Sequence, residues 1–239
     1  MLFRSRFIDA EHCVGYLGDM PRTARASVGG MWYHALNRGN GRETVFHKPS
    51  DYEAFVEAMA QGCERVPVDL LGYCLMPNHF HLLLRPHHDG DLGRWMQWLL
   101  TAHVRRYHRH YGTSGHVWQG RFKAFPVEDD DHLVTALRYV ERNALRAELV
   151  AHAEDWKWSS LPRWQARDPL LWRGKPPVRN SHWLQRVNQP LSATDLQRLR
   201  LSISRGRPYG GEAWTKETAI RLGLESCLRP RGRPRTNQS

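Results

Sequence analysis

Val68-Asp69-Leu70-Leu71-Gly72-Tyr73-Cys74-Leu75-Met76-Pro77-Asn78-His79-Phe80-His81-Leu82-Leu83-Leu84-Arg85 is the stretch that decides the fold. It holds two apolar runs, and Pro77-Asn78 separates them where the chain must turn. The reading is strand, tight turn, strand, closed by Pro86 and then Asp89-Gly90. Inside the second run His79 and His81 stand two apart. On a strand such residues share one face, while Phe80 between them points to the other.

Working upstream, Met31-Trp32-Tyr33-His34-Ala35-Leu36 reads as a strand that runs into Asn37-Arg38-Gly39-Asn40-Gly41, a turn-rich basic loop. Pro49-Ser50-Asp51 marks a helix start, and Tyr52, Phe55, Val56 and Met59 follow at helical spacing. Downstream, Leu92 to about Tyr111 is helical, with Leu92, Trp95, Met96, Leu99, Leu100 and Val104 on one stripe. Phe122 to Val127 reads as a short strand. Asp129-Asp130-Asp131 then opens a helix that carries Leu133, Val134, Leu137, Tyr139, Val140 and Leu145, and an acidic first turn suits the helix dipole. The order β-α-β-β-α-β-α predicts an α+β domain: a ferredoxin-like antiparallel sheet with helices on one face.

The rest of the chain is less regular. Residues 1–28 read as an N-terminal appendage, in which Met20-Pro21-Arg22 is a second candidate start of translation. Residues 29–161 form the compact domain, and residues 162–190 a Trp-, Pro- and Arg-rich connector. Residues 191–228 read as a small helical, DNA-binding extension. There Ser192-Ala193-Thr194-Asp195 opens a basic helix to about Ser202, and Trp214 to Leu222 is a second helix. Leu191, Leu196, Leu199, Leu201 and Ile203 are expected to bury a two-helix core against Ile220, Leu222 and Leu224. Residues 229–239 are a basic tail.

Composition narrows the function. Hydrophobic residues make up 41% and charged residues 25% of the 239, a globular balance. No run reaches the roughly 18 apolar residues of a membrane span, and the first 19 residues carry Arg4, Arg6, Asp9 and Glu11, so a secretory signal is not expected. Cys13, Cys63, Cys74 and Cys227 form no C-x-x-C pair, which excludes a zinc ribbon and a disulfide scaffold and fits a reducing cytosol. The net charge of +11 favours a polyanion, of which nucleic acid is the commonest. From Asn180 to Ser239 there are 11 basic and 4 acidic residues, so +7 of that charge lies at the C-terminal end.

Four features bear chemistry. His79 and His81 can hold one divalent ion, or simply alternate on a solvent-facing strand. Tyr139 and Asn143 lie i and i+4 on a helix and project together, although an amphipathic core tyrosine is the commoner role. Trp118-Gln119-Gly120-Arg121-Phe122-Lys123 interleaves cations and rings as single-strand DNA grooves do, or else Trp118 caps the edge of the core. Arg231-Gly232-Arg233-Pro234-Arg235 is similar to an AT-hook, which lies in the minor groove of A·T-rich duplex, or is a solvated basic tail.

Five segments together resemble a known family. They are Tyr33-His34 through Arg38-Gly39; Met76-Pro77-Asn78-His79-Phe80-His81-Leu82-Leu83; Trp118-Gln119-Gly120-Arg121-Phe122; Tyr139-Val140-Glu141-Arg142-Asn143-Ala144-Leu145-Arg146-Ala147; and Trp156-Lys157-Trp158-Ser159-Ser160. Their order and spacing resemble the single-tyrosine HUH transposases, in the branch of the REP-associated tyrosine transposases of bacteria, over roughly Gly29 to Leu161. The resemblance implies a metal-dependent endonuclease and strand transferase that acts on single-stranded, hairpin-forming DNA through a 5′-phosphotyrosine. It implies Tyr139 as nucleophile, and His79, His81 and Asn143 as ligands of Mg²⁺ or Mn²⁺. The family usually has Pro after that Asn, where this chain has Ala144. Arg38, Arg42, Arg105, Arg121 and Lys123 are candidates to hold phosphates, with Arg231, Arg233 and Arg235 reaching A·T-rich duplex. A bacterial cytoplasmic, nucleoid-associated protein, monomeric or homodimeric, is expected. Two other readings compete. One is a hairpin-binding regulator that keeps the fold without the catalysis, against which all four site residues stand. The other is an H-x-H metallohydrolase barrel, which needs about 250 residues of repeating βα units and gives the positive charge no role.

Overall fold

The computed structural model describes residues 27–174 and 179–229. The expected appendage and the basic tail with Arg231, Arg233 and Arg235 therefore lie outside the described residues. The strands are β1 (Trp32–Arg38), β2 (Val68–Met76), β3 (His79–Pro86) and β4 (Lys123–Val127). They form one sheet in the order β2-β3-β1-β4, and every adjacent pair is antiparallel. Helices α1 (Pro49–Arg65) and α2 (Asp91–Tyr111) make the two crossovers, and α3 (Asp131–Glu141) follows β4. The predicted element order and the α+β class are those observed.

Local chemistry sets the boundaries. Pro49 begins α1, and the Asp51 carboxylate reaches back to accept from the backbone N–H groups of His47 and Lys48, the two residues just before the helix. The same carboxylate accepts from Tyr111 Oη at 2.6 Å and Arg106 Nη1 at 3.2 Å, so it also ties the start of α1 to the end of α2. Gly112 ends α2 in the left-handed conformation, which glycine adopts without steric cost.

Helices cover both faces of the sheet, which corrects the expectation of one covered face. On the first face Tyr33, Tyr73, Phe80, Leu82 and Leu84 pack against Phe55 and Met59 of α1 and Trp95, Met96 and Leu99 of α2. On the second, Trp32, Leu71, Cys74, Leu83, Phe125 and Val127 pack against Leu133, Leu137 and Val140 of α3. The physical reason lies in β2 and β3 themselves. Leu70-Leu71 and Leu82-Leu83-Leu84 are continuous apolar runs, and a strand apolar on both sides must be buried on both sides.

The C-terminal part completes that second layer. It contains α4 (Asn143–Arg146), α5 (Ser160–Gln165), α6 (Trp183–Asn188), α7 (Ala193–Arg205) and α8 (Glu212–Arg221). The expected continuous helix to Leu145 is interrupted at Arg142, which separates α3 from α4. The expected connector holds α5 and α6 among its described residues. Trp183 and Val187 of α6 and Leu199 of α7 join the core beneath α3, while Leu201 and Ile220 are exposed. The apolar stripe of α7 thus docks on the sheet layer rather than forming a two-helix core with α8.

Both edges of the sheet are covered. Along β2, the Leu75 N–H donates to Trp158 O, Trp156 Nε1–H donates to Leu75 O, and Ser160 Oγ accepts from the Tyr73 N–H. Along β4, the Tyr209 N–H donates to Pro126 O and the Glu128 N–H to Tyr209 O. Pairing these edges removes sites where another strand could add. No described helix is long and apolar enough to cross a membrane.

Candidate active-site cleft

The strand register builds a basic cleft on the second face of the sheet. His81 of β3 lies opposite Leu36 of β1, and Leu36 lies opposite Lys123 of β4. One row further along, His79 lies opposite Arg38. Because side chains alternate, His79, His81, Arg38 and Lys123 share the face on which α3 lies. The resulting cleft of about 390 Å³ is lined by Arg38, His79, His81, Arg121, Lys123 and Tyr139, with Leu36, Asn37, Gln119, Arg146 and Ile203. Ile203 comes from α7, so the C-terminal part supplies one wall.

The rings in the cleft are packed closely. The His79 and His81 ring centres are 5.1 Å apart, and the Tyr139 ring centre is 5.7 Å from that of His81. A third imidazole, His34, stands 6.0 Å from Tyr139, and its Nε2 is 2.9 Å from His81 Nδ1. His79 Nδ1 donates to Asn78 Oδ1 at 2.7 Å. Arg146 places its guanidinium 5.5 Å from the centre of the Tyr139 ring.

Electrostatics follow from burial among cations. Burial lowers the His79 pKa to about 4, with Arg38 and Arg146 adding to the shift. His34 is lowered to about 3 by burial, and His81 is lowered well below the usual imidazole value by burial and by its histidine neighbours. All three rings are therefore neutral near pH 7, and a neutral ring has a lone pair to offer a metal ion. Burial raises the Tyr139 phenol, while Arg146, Arg200 and Arg38 pull it down.

The other candidates fall elsewhere. Asn143 is fully buried and does not line the cleft. Its Oδ1 accepts from Arg146 Nη2 at 2.7 Å, and its Nδ2 has no partner. Arg42 is exposed in the short turn Asn40–Arg42 beside Asn78, next to the cleft but outside its lining. Arg105 is exposed on α2, which packs on the opposite face of the sheet. Trp118 is 6% exposed and packs against Phe46, Phe55, Phe80 and His103 in the first core, so it has no free face on which a base could stack. Of the two readings of that motif, the core reading holds for Trp118, while Arg121 and Lys123 beside it line the cleft.

Sequence reasoning did not single out His34, Asn78 or Arg146 as site residues. Arg146 had a signal, since positions 139, 143 and 146 share one helical face. His34 and Asn78 become legible only with the strand register and the turn geometry. A separate group, Glu128, Asp130 and His132, brings one donor atom of each within 4.8 Å of the others and is compatible with a metal ion of unspecified identity. Asp130 there also caps α3 through the His132 N–H, and Glu128 accepts from the Gly211 N–H.

Residues 27–143 match the family described as Transposase IS200 like. A provisionally named REP-associated tyrosine transposase of Haemophilus influenzae is 29% identical over 144 residues, covering 54% of this chain and 81% of that protein. The solved structure of a REP-associated tyrosine transposase bound to a REP hairpin aligns with a TM-score of 0.49 at 19% identity, over 73% of this chain and 100% of that one. A crystal structure of a provisionally named transposase from Deinococcus radiodurans R1 aligns with a TM-score of 0.35 at 18% identity, over 53% and 90% of the two chains. Over residues 27–143, just under half of its length, this chain is similar to the IS200-like transposase family.

Proposed function

We propose that this protein cuts single-stranded, hairpin-forming DNA and rejoins strands through a covalent tyrosine–DNA link. The observation that carries this reading is the presence of Tyr139, His79 and His81 on the wall of one basic cleft. Tyr139 is the nucleophile. Its oxygen forms a bond to a backbone phosphorus as the bond from phosphorus to the 3′ oxygen breaks. The phenol loses its proton and the 3′ oxygen gains one, leaving a 5′-phosphotyrosine and a free 3′-hydroxyl. The number of phosphoester bonds is unchanged, so the 3′-hydroxyl of a second strand reverses the step without ATP.

The chain's own groups support the step in three ways. Arg38, Arg121 and Lys123 neutralise backbone phosphates and hold the strand along the cleft. Arg146 and Arg38 favour the phenolate of Tyr139 against the opposing effect of burial. Ile203 and Leu36 form apolar wall that limits water beside the reacting atoms. The donor set also fits a divalent cation. His79 and His81 are neutral, and each already has its Nδ1 hydrogen-bonded, an arrangement usual in metal-binding histidines. These two residues would hold Mn²⁺ or Mg²⁺, whereas Asn143, the third ligand the resemblance implies, is buried outside the cleft with its Oδ1 on Arg146. A cation bound there supplies Lewis-acid polarisation of the scissile phosphate.

The test is covalent trapping. Purified protein, Mn²⁺ or Mg²⁺ and an end-labelled hairpin oligonucleotide with single-stranded flanks should give a protein–DNA adduct that survives denaturant, and Tyr139→Phe should remove it while DNA binding persists. Tight hairpin binding with no adduct under either metal would replace this reading with that of a catalytically silent, hairpin-binding regulator.

A further inference from the structure

The two imidazoles proposed as ligands differ in how firmly their presentation is fixed. Asn78 Nδ2–H donates to Arg42 O at 3.1 Å, which sets the orientation of the Asn78 amide. Its Oδ1 then faces His79 Nδ1, and an amide oxygen can only accept. The His79 proton is therefore on Nδ1, and the lone pair is on Nε2. His81 Nδ1 faces His34 Nε2 instead, and an imidazole nitrogen can donate or accept. His34 is fully buried, and its Nδ1 has no partner. For His81 to offer Nε2, His34 Nε2 must accept, so the proton of His34 resides on that unpartnered Nδ1. A buried polar atom left without a partner is uncommon and calls for a reason.

We propose that Asn78 and His34 are the positioning residues of the metal centre, Asn78 fixing His79 and His34 fixing His81 so that both rings present Nε2 to one divalent cation. This inference rests on the metal reading of His79 and His81 given above. Neither residue needs to touch DNA or the reacting phosphate. They act by holding ring orientation and tautomer, as outer partners of metal-binding histidines do. Their placement follows from the fold. Asn78 sits in the β2–β3 turn beside His79, and His34 lies diagonally across from His81 on the neighbouring strand, opposite Leu83.

The experiment is calorimetric titration of the full chain with Mn²⁺ in the absence of DNA. The wild type should bind, and His79→Ala and His81→Ala should not. His34→Phe and Asn78→Leu should weaken binding by about 10- to 100-fold, while His34→Gln and Asn78→Asp, which keep an acceptor oxygen, should recover most of it. If the wild type does not bind, or binds without regard to His79 and His81, the metal reading fails and takes the inference with it. If binding depends on those histidines but the apolar variants match the wild type, the inference alone is overturned. Equal weakening by apolar and acceptor-bearing variants also overturns it. Nitrogen-15 NMR of histidine-labelled wild type with Zn²⁺ requires no variant to fold. It should find the proton on Nδ1 in His34, His79 and His81, and a proton on Nε2 of His79 or His81 refutes the assignment.

Discussion

Arg179→Met should destabilise this protein far more than an ordinary surface change, because it strands a carboxylate in the core. The Glu141 and Arg179 side chains are 0% and 1% exposed, and Arg179 Nη2 lies 2.5 Å from Glu141 Oε1. Glu141 also accepts from Ser160 Oγ at 2.6 Å and Trp183 Nε1 at 2.7 Å, while Arg179 Nη2 donates to Leu71 O at 2.8 Å. This ion pair thus joins β2, α3, α5 and α6. Removing the cation leaves two neutral donors for a buried charge, a loss of about 3–5 kcal/mol for breaking such a pair. Against a total stability of about 5–15 kcal/mol, that is a large share.

Urea unfolding of the full chain measures it, with the midpoint falling and the slope unchanged. The double variant Glu141→Leu with Arg179→Met removes both charges and should recover part of the loss, giving a coupling energy of about 2 kcal/mol or more. There is also a functional readout. Tyr139 lies two residues before Glu141 on α3, so a folded Arg179→Met protein should form the DNA adduct more slowly at saturating DNA, with affinity for the hairpin preserved. A single-variant loss under about 1 kcal/mol, with additive double-variant behaviour, would refute the reasoning.

Gly72 lies under α3, and a Cβ there would stand 2.4 Å from Leu137 Cδ1. Gly72→Ala should therefore cost about 1–3 kcal/mol, and Leu137→Ala in the same chain should offset part of that, as thermal melts can read. His103 is buried against Phe46, Phe55 and Trp118, and burial lowers its pKa to about 4. Because the folded value lies below the unfolded one, its contribution to stability is complete above about pH 6.5 and lost as pH falls toward 4, by roughly 3 kcal/mol. His103→Gln should flatten the acid slope of stability over that window, and an unchanged slope refutes the assignment. Arg121→Ala should weaken binding of single-stranded DNA and lower the salt slope by about one, whereas Arg105→Ala, on the other face of the sheet, should leave both unchanged.

Much of the sheet was legible because β2, β3 and their turn are a local signal. Two apolar runs, a Pro-Asn break and an H-x-H spacing sit within eighteen consecutive positions. The pairing of His79 and His81 on one face followed from strand geometry alone. What was not legible depended on register or on distance along the chain. His34 reaches His81 only because β1 pairs antiparallel to β3 in one register, which the residues do not state. Arg179 meets Glu141 from 38 positions away, out of a segment without periodicity. Trp118 misled in another way. Beside Arg121 and Lys123 it looks like a stacking platform, but the residues on either side of it belong to different environments, one the core and the other the cleft. Helices on both faces were signalled by Leu82-Leu83-Leu84, a run too continuous for a half-exposed strand.

The segment that matches the transposase family does not close its own core. Residues 27–143 supply the sheet and α3, yet Leu71, Leu83 and Phe125 belong to a cluster completed by Trp183, Val187, Leu199 and Tyr209. Both sheet edges are likewise paired by later residues, Ser159 beside β2 and Tyr209 beside β4. A strand edge or an apolar sheet face without cover invites association with other chains. The C-terminal part therefore has a structural role that precedes any contact with DNA. It also reaches the candidate site, because Ile203 lines the cleft and Arg179 pairs with Glu141 on the helix that bears Tyr139. The positive charge of that part then adds to a surface already fixed against the site. Arg200 of α7 is one example, because its charge helps to pull the Tyr139 phenol down.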